Sequence, residues 1–571
     1  MTHRTIEKAS HARGFSWLNR AAWHLASTIL LMGVISYALH WLTGLEIRDA
    51  KGVRYAELAL ALAPAAALYS ALCIFWARPW AWAVTATLAV ALALAQQEKL
   101  RLTTESISWF DVSSTDNLAI ALVYVSAHHL IAMALLAVIA VAAYVRFRFR
   151  SKIPTKKVDQ HHQPILAFGI WIPLAMHPYF IEHEIFPPNL KATLEQHADI
   201  GYMSWNWDAN IKKNGLFTHL IQTSVRTVPP SPTEEQMYSL NRLEALGVKQ
   251  TRPHKIVYIL CEACWHDEQH FKPIFKPLTA LGFKELRTVS PAYGGGTANA
   301  AFEMLTGLPA KGHLKGIIYQ EYAPIIHGTA DALPQRLRQS GYTTLAAHNF
   351  TRKFWQRHVV LPKIGFDAFH GIEDIGYDGK SYFPEDSVLF DFSEQLLLQY
   401  STNPIFLHLT TVYSHGPYAV DMDDGEKDYQ RKIQKTIQDI AQFAKQLQHS
   451  NRNIVILVYG DHKPALNSYF YKHGVLAEDQ MEDTNTVGNV PVYLFSHDSE
   501  GLDSFIATAQ SLPMFCLAQR LDKHFFQSGL PTFAFTQAHA CNGPIDRAYT
   551  DRVNSVPAWL YSAMLFDRIS L

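Results

Sequence analysis

A threonine that follows three glycines, in "AYGGGTANAAFEMLTGLP" (292–309), is either a presented nucleophile or the N-cap of an ordinary helix. Three residues elsewhere bear on the choice. Glu262 follows the apolar run "VYIL", and Asp461 and His462 follow "IVILVYG". Two carboxylates and an imidazole suit zinc or manganese, and Thr297 would complete a four-ligand set. A threonine hydroxyl attacks poorly at neutral pH, but a divalent cation lowers the pKa of a coordinated hydroxyl. The glycines at 294–296 would then let the backbone bend sharply and approach an anion, at a helix N-terminus that favours negative charge.

These side chains must be held by something rigid. From residue 254 onward, apolar runs alternate with helical patterns. The runs "HKIVYILCEA" (254–263), "GYTTLAAHNF" (341–350), "NPIFLHLTTV" (403–412), "RNIVILVYGDH" (452–462) and "VPVYLFS" (490–496) read as buried strands. Between them, "DALPQRLRQSG", "PEDSVLFDFSEQLLLQY" and "KDYQRKIQKTIQDIAQFAKQLQHS" read as helices. That alternation predicts an α/β fold with a largely parallel central sheet. Glu262, His348, His415 and Asp461–His462 each fall at the C-terminal end of a predicted strand, the edge where open α/β sheets bind ligands.

The first third of the chain meets a different solvent. Ala21–Leu42, Leu58–Trp76, Pro79–Ala95, Leu118–Val145 and Pro164–Ile181 contain no Asp, Glu, Lys or Arg and read as about five membrane spans. Basic residues cluster before the first span, at Arg78, and in "RFRFRSKIPTKK" (146–157). If those loops are cytoplasmic, everything after residue 182 lies outside. The expected organisation is a transmembrane region (1–181), a helical linker (182–253) and an extracytoplasmic catalytic domain (254–571). Lys+Arg and Asp+Glu are both 50, and that neutral balance argues against nucleic acid as a partner. Cys261 and Cys264, around Glu262, read as buried small hydrophobes, while pairing of Cys516 with Cys541 stays open.

The motifs together resemble the sulfatase-type domain of lipoteichoic acid synthases and related phosphoglycerol transferases, in the alkaline phosphatase superfamily. Five carry the resemblance, in the family's order: "VYILCEA", "GGGTANAAFEMLTGLP", "HNFTRKFWQR" (348–357), "LTTVYSHGPY" (409–418) and "VYGDHKP". It covers roughly residues 254–500, and the membrane region before it also fits. The resemblance implies a bacterial inner-membrane, multi-pass enzyme with one divalent ion, Mn2+ first and Zn2+ or Mg2+ as alternatives. It further implies Thr297 as a nucleophile that carries a glycerophospho group taken from phosphatidylglycerol. His348, Trp355, Arg357 and His415 become substrate contacts; a planar guanidinium suits phosphate. The acceptor would be an envelope glycan or glycolipid. Two positions depart from the pattern: Phe350 and Ala301 stand where the family often has acidic residues. A phosphoethanolamine transferase is the competing enzyme, and a catalytically inactive envelope sensor the competing non-enzyme. No C/S-x-P-x-R frame is present, which argues against an arylsulfatase.

Overall fold

Three N-terminal helices owe their length to uninterrupted apolar sequence. In the computed structural model they are α1 (His3–Thr43), α2 (Tyr55–Phe75) and α3 (Arg78–Thr103). Within them Ala22–Thr43, Tyr55–Phe75 and Arg78–Gln97 are long and apolar enough to cross a membrane. Their outward faces carry Trp23, Ile29, Leu30, Trp41 and Phe75, residues that water would not tolerate as a continuous surface but lipid does. The structure describes most of the chain; residues 114–161, 186–200, 245–252, the last five and several shorter stretches lie outside the description. The fourth expected span and the basic run after it therefore fall outside the described residues. The fifth differs from expectation. It is divided into α4 (His162–Ala175) and α5 (His177–Glu182), with Pro173 inside the first and Pro178 opening the second. Ala175 packs on Ala63 and Ala67 of α2, where small side chains let two helices approach closely.

Two compact units divide the chain, 1–226 and 227–571. The boundary falls inside the stretch read as a linker.

The second unit is built on an eight-stranded sheet. Its strands are β1 (Lys255–Cys261), β2 (Lys284–Val289), β3 (Thr343–His348), β4 (Ala368–His370), β5 (Ile405–Thr410), β6 (Ile454–Gly460), β7 (Asn489–Ser496) and β8 (Leu512–Pro513). Their spatial order is β8-β2-β7-β6-β1-β5-β3-β4. The middle strands β6, β1, β5 and β3 are parallel, whereas β7 runs antiparallel to both β6 and β2. Every residue of β1, β5 and β6 is buried, as expected for strands covered by helices on both faces. The three expected helices form over Leu333–Gln339, Ser387–Gln399 and Glu426–Ser450.

Register aligns the strand ends. Leu260 and His348 both pair with Thr410, and Cys261 pairs with Gly460. The residues just beyond these positions therefore emerge side by side along one edge.

Candidate active site

Glu262 leaves β1 on a tight turn in which Ala263 adopts φ 50°. The turn brings Cys261 and Cys264 to a Cα–Cα separation of 5.4 Å, and their sulfurs are paired. They are not the separate small hydrophobes that the sequence reading expected. Cys516 and Cys541 are paired as well. On the neighbouring strand, Gly460 has to be glycine: a Cβ there would lie 2.2 Å from the Cys264 carbonyl oxygen. This close approach sets Asp461 beside Glu262.

Glu262, Asp461 and His462 offer ligand atoms all within 4.8 Å of one another, and all three residues are buried. His462 Nε2 lies 3.4 Å from Glu262 Oε1 and 3.3 Å from Asp461 Oδ2. Its Nδ1 faces the Lys463 carbonyl at 2.8 Å, which orients the ring and turns Nε2 inward. Asp461 Oδ1 accepts from the backbone amides of Ala263 (2.7 Å) and His462 (2.8 Å). Asp461 Oδ2 and His462 Nε2 are buried without a hydrogen-bond partner. Such orphaned atoms are costly unless something fills the space between them. Electrostatics say the same. Burial and the adjacent Glu262 charge push the Asp461 carboxyl up. Burial works against a charged His462, yet the two carboxylates raise its pKa. Burial also opposes charge on Glu262, but His415 and His462 hold it low. A proton on His462 thus compensates where a divalent cation would do so better, and the donor set fits such an ion.

Thr297 opens α6 (Thr297–Thr306) and is itself buried. The N-cap is Gly296, and Thr297 caps nothing. Instead its Oγ1 donates to Glu262 Oε2 at 3.0 Å. The three glycines have φ of 65°, 154° and 95°, a sequence of conformations that L side chains rarely adopt. The Gly294 amide is tied to the Lys463 carbonyl at 3.1 Å, so the turn is fastened to the loop that carries Asp461 and His462. The geometry therefore excludes the simple capping role.

Glu262 and Thr297 form the floor of a cavity also lined by His348, Arg357 and His415. His348 closes β3 with Nδ1 2.8 Å from the Thr410 carbonyl, leaving Nε2 for the cavity. Burial and the nearby Arg357 charge hold it well below the usual histidine range. Acting as a donor to phosphate would require a second proton, which a bound anion favours. Trp355 and Gln356 have φ of 52° and 55°, and this left-handed pair aims the buried Arg357 inward. The guanidinium stands 5.2 Å from the Trp355 ring centre and 5.8 Å from that of Phe354. Phe350, Phe354, Trp355, Tyr382, Phe383 and Val412 line the rest of the cavity.

Asp386 escaped the sequence reading. It precedes the helix Ser387–Gln399, where "PEDS" looks like a helix start, but its side chain does not cap. Its Oδ1 accepts from Asn349 Nδ2 (3.0 Å), the Val412 amide (2.9 Å) and the Tyr413 amide (3.3 Å). Oδ2 accepts from Thr436 Oγ1 at 2.7 Å. One buried carboxylate thus joins the segments that carry His348 and His415. Ser290 and Ser414 hydroxyls donate to the Asp461 and Glu262 carbonyls respectively and fasten the ligand loops.

Residues 256–493 match the sulfatase family. The matched stretch contains every residue of the candidate site. It is 24% identical over 314 residues to a Rhizobium meliloti (strain 1021) protein provisionally named for cyclic beta-1,2-glucan modification, covering 49% of this chain and 48% of that one. It is 27% identical over 158 residues to the lipoteichoic acid synthase of Staphylococcus saprophyticus, covering 24% of this chain and 23% of that one. The chain spans about half, or less, of the length of these curated relatives. Among solved structures it resembles the Streptococcus pyogenes phosphoglycerol transferase in complex with sn-glycerol-1-phosphate, with a TM-score of 0.42 and 17% identity over 60% of this chain and 100% of that one. Sulfatase-family enzymes use a divalent metal, and the cluster of Glu262, Asp461 and His462 offers a place for one.

Proposed function

We propose that the protein is a membrane-anchored, divalent-metal-dependent phosphotransferase that moves a phospholipid head group through Thr297 to a cell-envelope glycan. The observation that carries the reading is the Thr297 hydroxyl pointed into a buried two-carboxylate, one-imidazole cluster at the floor of a cavity. Glu262, Asp461 and His462 would hold the ion, with Thr297 as fourth ligand and Mn2+ the expected metal. When bound, the ion lowers the pKa of the threonine hydroxyl and so makes Oγ1 nucleophilic near neutral pH.

In the first step Thr297 Oγ1 forms a bond to phosphorus while the bond from phosphorus to the diacylglycerol oxygen breaks. The proton of Oγ1 ends on that leaving oxygen. In the second step an acceptor hydroxyl bonds to phosphorus, the Oγ1–phosphorus bond breaks, and the acceptor's proton returns to Oγ1. Arg357, His348 and His415 hold the phosphoryl oxygens, with Arg357 as the permanent charge. Trp355 packs against the Arg357 guanidinium and fixes its direction. Two half-reactions through a covalent intermediate give ping-pong kinetics.

Phosphatidylglycerol is the donor in this reading, supported by the motif order and by the relatives named as lipoteichoic acid synthases. A glycan acceptor is supported by the name of the Rhizobium relative. Five spans, with the second unit outside the cytoplasm, would bring the site to lipids of the outer leaflet of the inner membrane; three of those spans correspond to apolar helices in the structure. The assignment of 182–253 as linker and 254–571 as catalytic domain belongs to the same proposal. Phosphatidylethanolamine is the second donor to consider, because Phe350 offers no polar group for glycerol hydroxyls. The test is diacylglycerol release by the full chain from vesicles of each phospholipid. Release from phosphatidylglycerol supports the reading; release only from phosphatidylethanolamine replaces the donor; none from either overturns the transfer.

A further inference from the structure

The cavity has two chemically distinct parts. Its charged and polar floor residues are Glu262, Thr297, His348, Arg357 and His415, and all have work to do on metal or phosphate. Beyond them, Val412 and the Trp355 that packs on Arg357, what remains is a wall of rings that leads from the mouth inward. Tyr382 at the rim is 73% exposed. Its ring centre lies 5.3 Å from that of Phe350 and 4.8 Å from that of Phe383, which in turn lies 4.7 Å from the His415 ring. Phe350 also packs on Phe354 at 5.2 Å. Apart from the Tyr382 hydroxyl, this wall presents no hydrogen-bonding side chain to the cavity.

An occupant of the wall therefore needs an apolar face, because hydroxyls turned against the rings would lose their partners. It also needs polar edges, because the wall is not part of a continuous apolar surface. The segment that carries Tyr382 exposes Asp378, Ser381 and Glu385 around it. Acyl chains would call for unbroken apolar cover. A pyranose ring with equatorial hydroxyls meets both demands: its axial C–H bonds face the negative ring surface, and its hydroxyls point sideways. The acceptor is also the reactant that enters from solvent after Thr297 is charged, past the exposed rim.

From this geometry we infer that Tyr382, Phe350 and Phe383 form an acceptor subsite for a sugar ring, which hands one of its hydroxyls to the phosphorus on Thr297. The inference rests on the proposed transfer through Thr297. It deepens that reading by naming the acceptor as a ring-stacking glycan and by assigning the residues that select it.

The test uses the full-length protein, the phospholipid that charges Thr297, and two acceptor probes. One is a β-linked glucose oligosaccharide; the other is glycerol, a polyol with no ring to stack. The wild type should prefer the oligosaccharide. Tyr382→Ala should raise its KM several-fold to about tenfold, the range expected for loss of one aromatic contact. Transfer to glycerol should stay within about twofold of wild type, and Tyr382→Trp should restore the oligosaccharide KM. Because Tyr382 is exposed, its replacement does not threaten the fold. Equal losses with both acceptors, or no preference for the oligosaccharide in the wild type, would overturn the subsite. So would failure of Tyr382→Ala to form the Thr297 adduct, which would assign the wall to the donor. Absence of the adduct in the wild type is a different result: it overturns the transfer itself.

Discussion

Thr297 Oγ1 lies 3.0 Å from Glu262 Oε2, although the two residues are 35 positions apart in the chain and belong to different elements. Two backbone devices bring them together. The strand end at Cys261 delivers Glu262 to the sheet edge, and the left-handed glycines at 294–296 deliver Thr297 to the same point. Positive-φ turns and buried, unpartnered carboxylate oxygens each cost free energy, which is the pattern expected where function sets the geometry.

The metal cluster makes the first prediction. Ion binding to the folded form alone should stabilise it by about 2.7 kcal/mol at a concentration near 100 times Kd. Thermal unfolding with and without Mn2+ should show that shift in the wild type. Glu262→Gln, Asp461→Asn and His462→Ala should lose most of it, along with bound metal measured by elemental analysis. A full Mn2+ shift in any two of these variants would remove the cluster from the account.

The glycine turn makes the second. A methyl at Gly295 would enter open space, so Gly295→Ala can act only through its φ of 154°. Metal content should be unchanged, whereas turnover should fall, on the order of a hundredfold if Oγ1 is displaced by about 1 Å. Wild-type turnover in Gly295→Ala would show that the turn does not aim Thr297.

Asp386 is expected to act through position alone. Asp386→Asn keeps an acceptor oxygen for the Val412 and Tyr413 amides and should retain most activity. Asp386→Ala leaves those buried donors unpaired and should lower stability by about 1–3 kcal/mol for each group left without a partner. It should also raise the donor KM, because His348 and His415 lose their common anchor. Parallel losses in both variants, with KM unchanged, would mean that the residue serves the fold only.

Glu303 sets a pH dependence of stability away from the metal. Burial raises its carboxyl to about 7, although Tyr549, the Ala310 amide and the Phe515 amide all donate to it. The folded value lies above the unfolded one of about 4.5. Its contribution is therefore complete below about pH 4.5 and is lost as pH rises through about 7, amounting to roughly 3 kcal/mol. Denaturant titrations across this window should show a downward slope that flattens in Glu303→Gln. An equal slope in the variant would place the effect elsewhere.

Much of this architecture was legible because burial on both faces leaves an uninterrupted apolar run. That is why β1, β3, β5 and β6 and the reactive residues at their ends could be read directly. β2 could not. Its "KELRTV" mixes charges into a partly exposed strand, and only neighbours remote in sequence make it a strand. The antiparallel direction of β7 was equally hidden, since a buried strand has the same composition in either direction. The proline-divided fifth apolar segment looked continuous because hydropathy ignores the backbone. Asp386 was passed over because an aspartate before a helix is usually a cap, and only the folded chain shows its carboxylate turned away. The aromatic wall was missed for a similar reason. Phe350 and Tyr382 are 32 positions apart, and no local pattern joins them.

The central claim is that Thr297 carries the transferred group, and intact-protein and peptide mass spectrometry tests it most directly. After exposure of the metal-loaded full-length protein to phosphatidylglycerol vesicles, the account predicts a glycerophosphate adduct on the peptide containing Thr297. The adduct should appear with diacylglycerol release and be absent from a folded Thr297→Ala protein. A folded Thr297→Ala variant that releases diacylglycerol at the wild-type rate would contradict it.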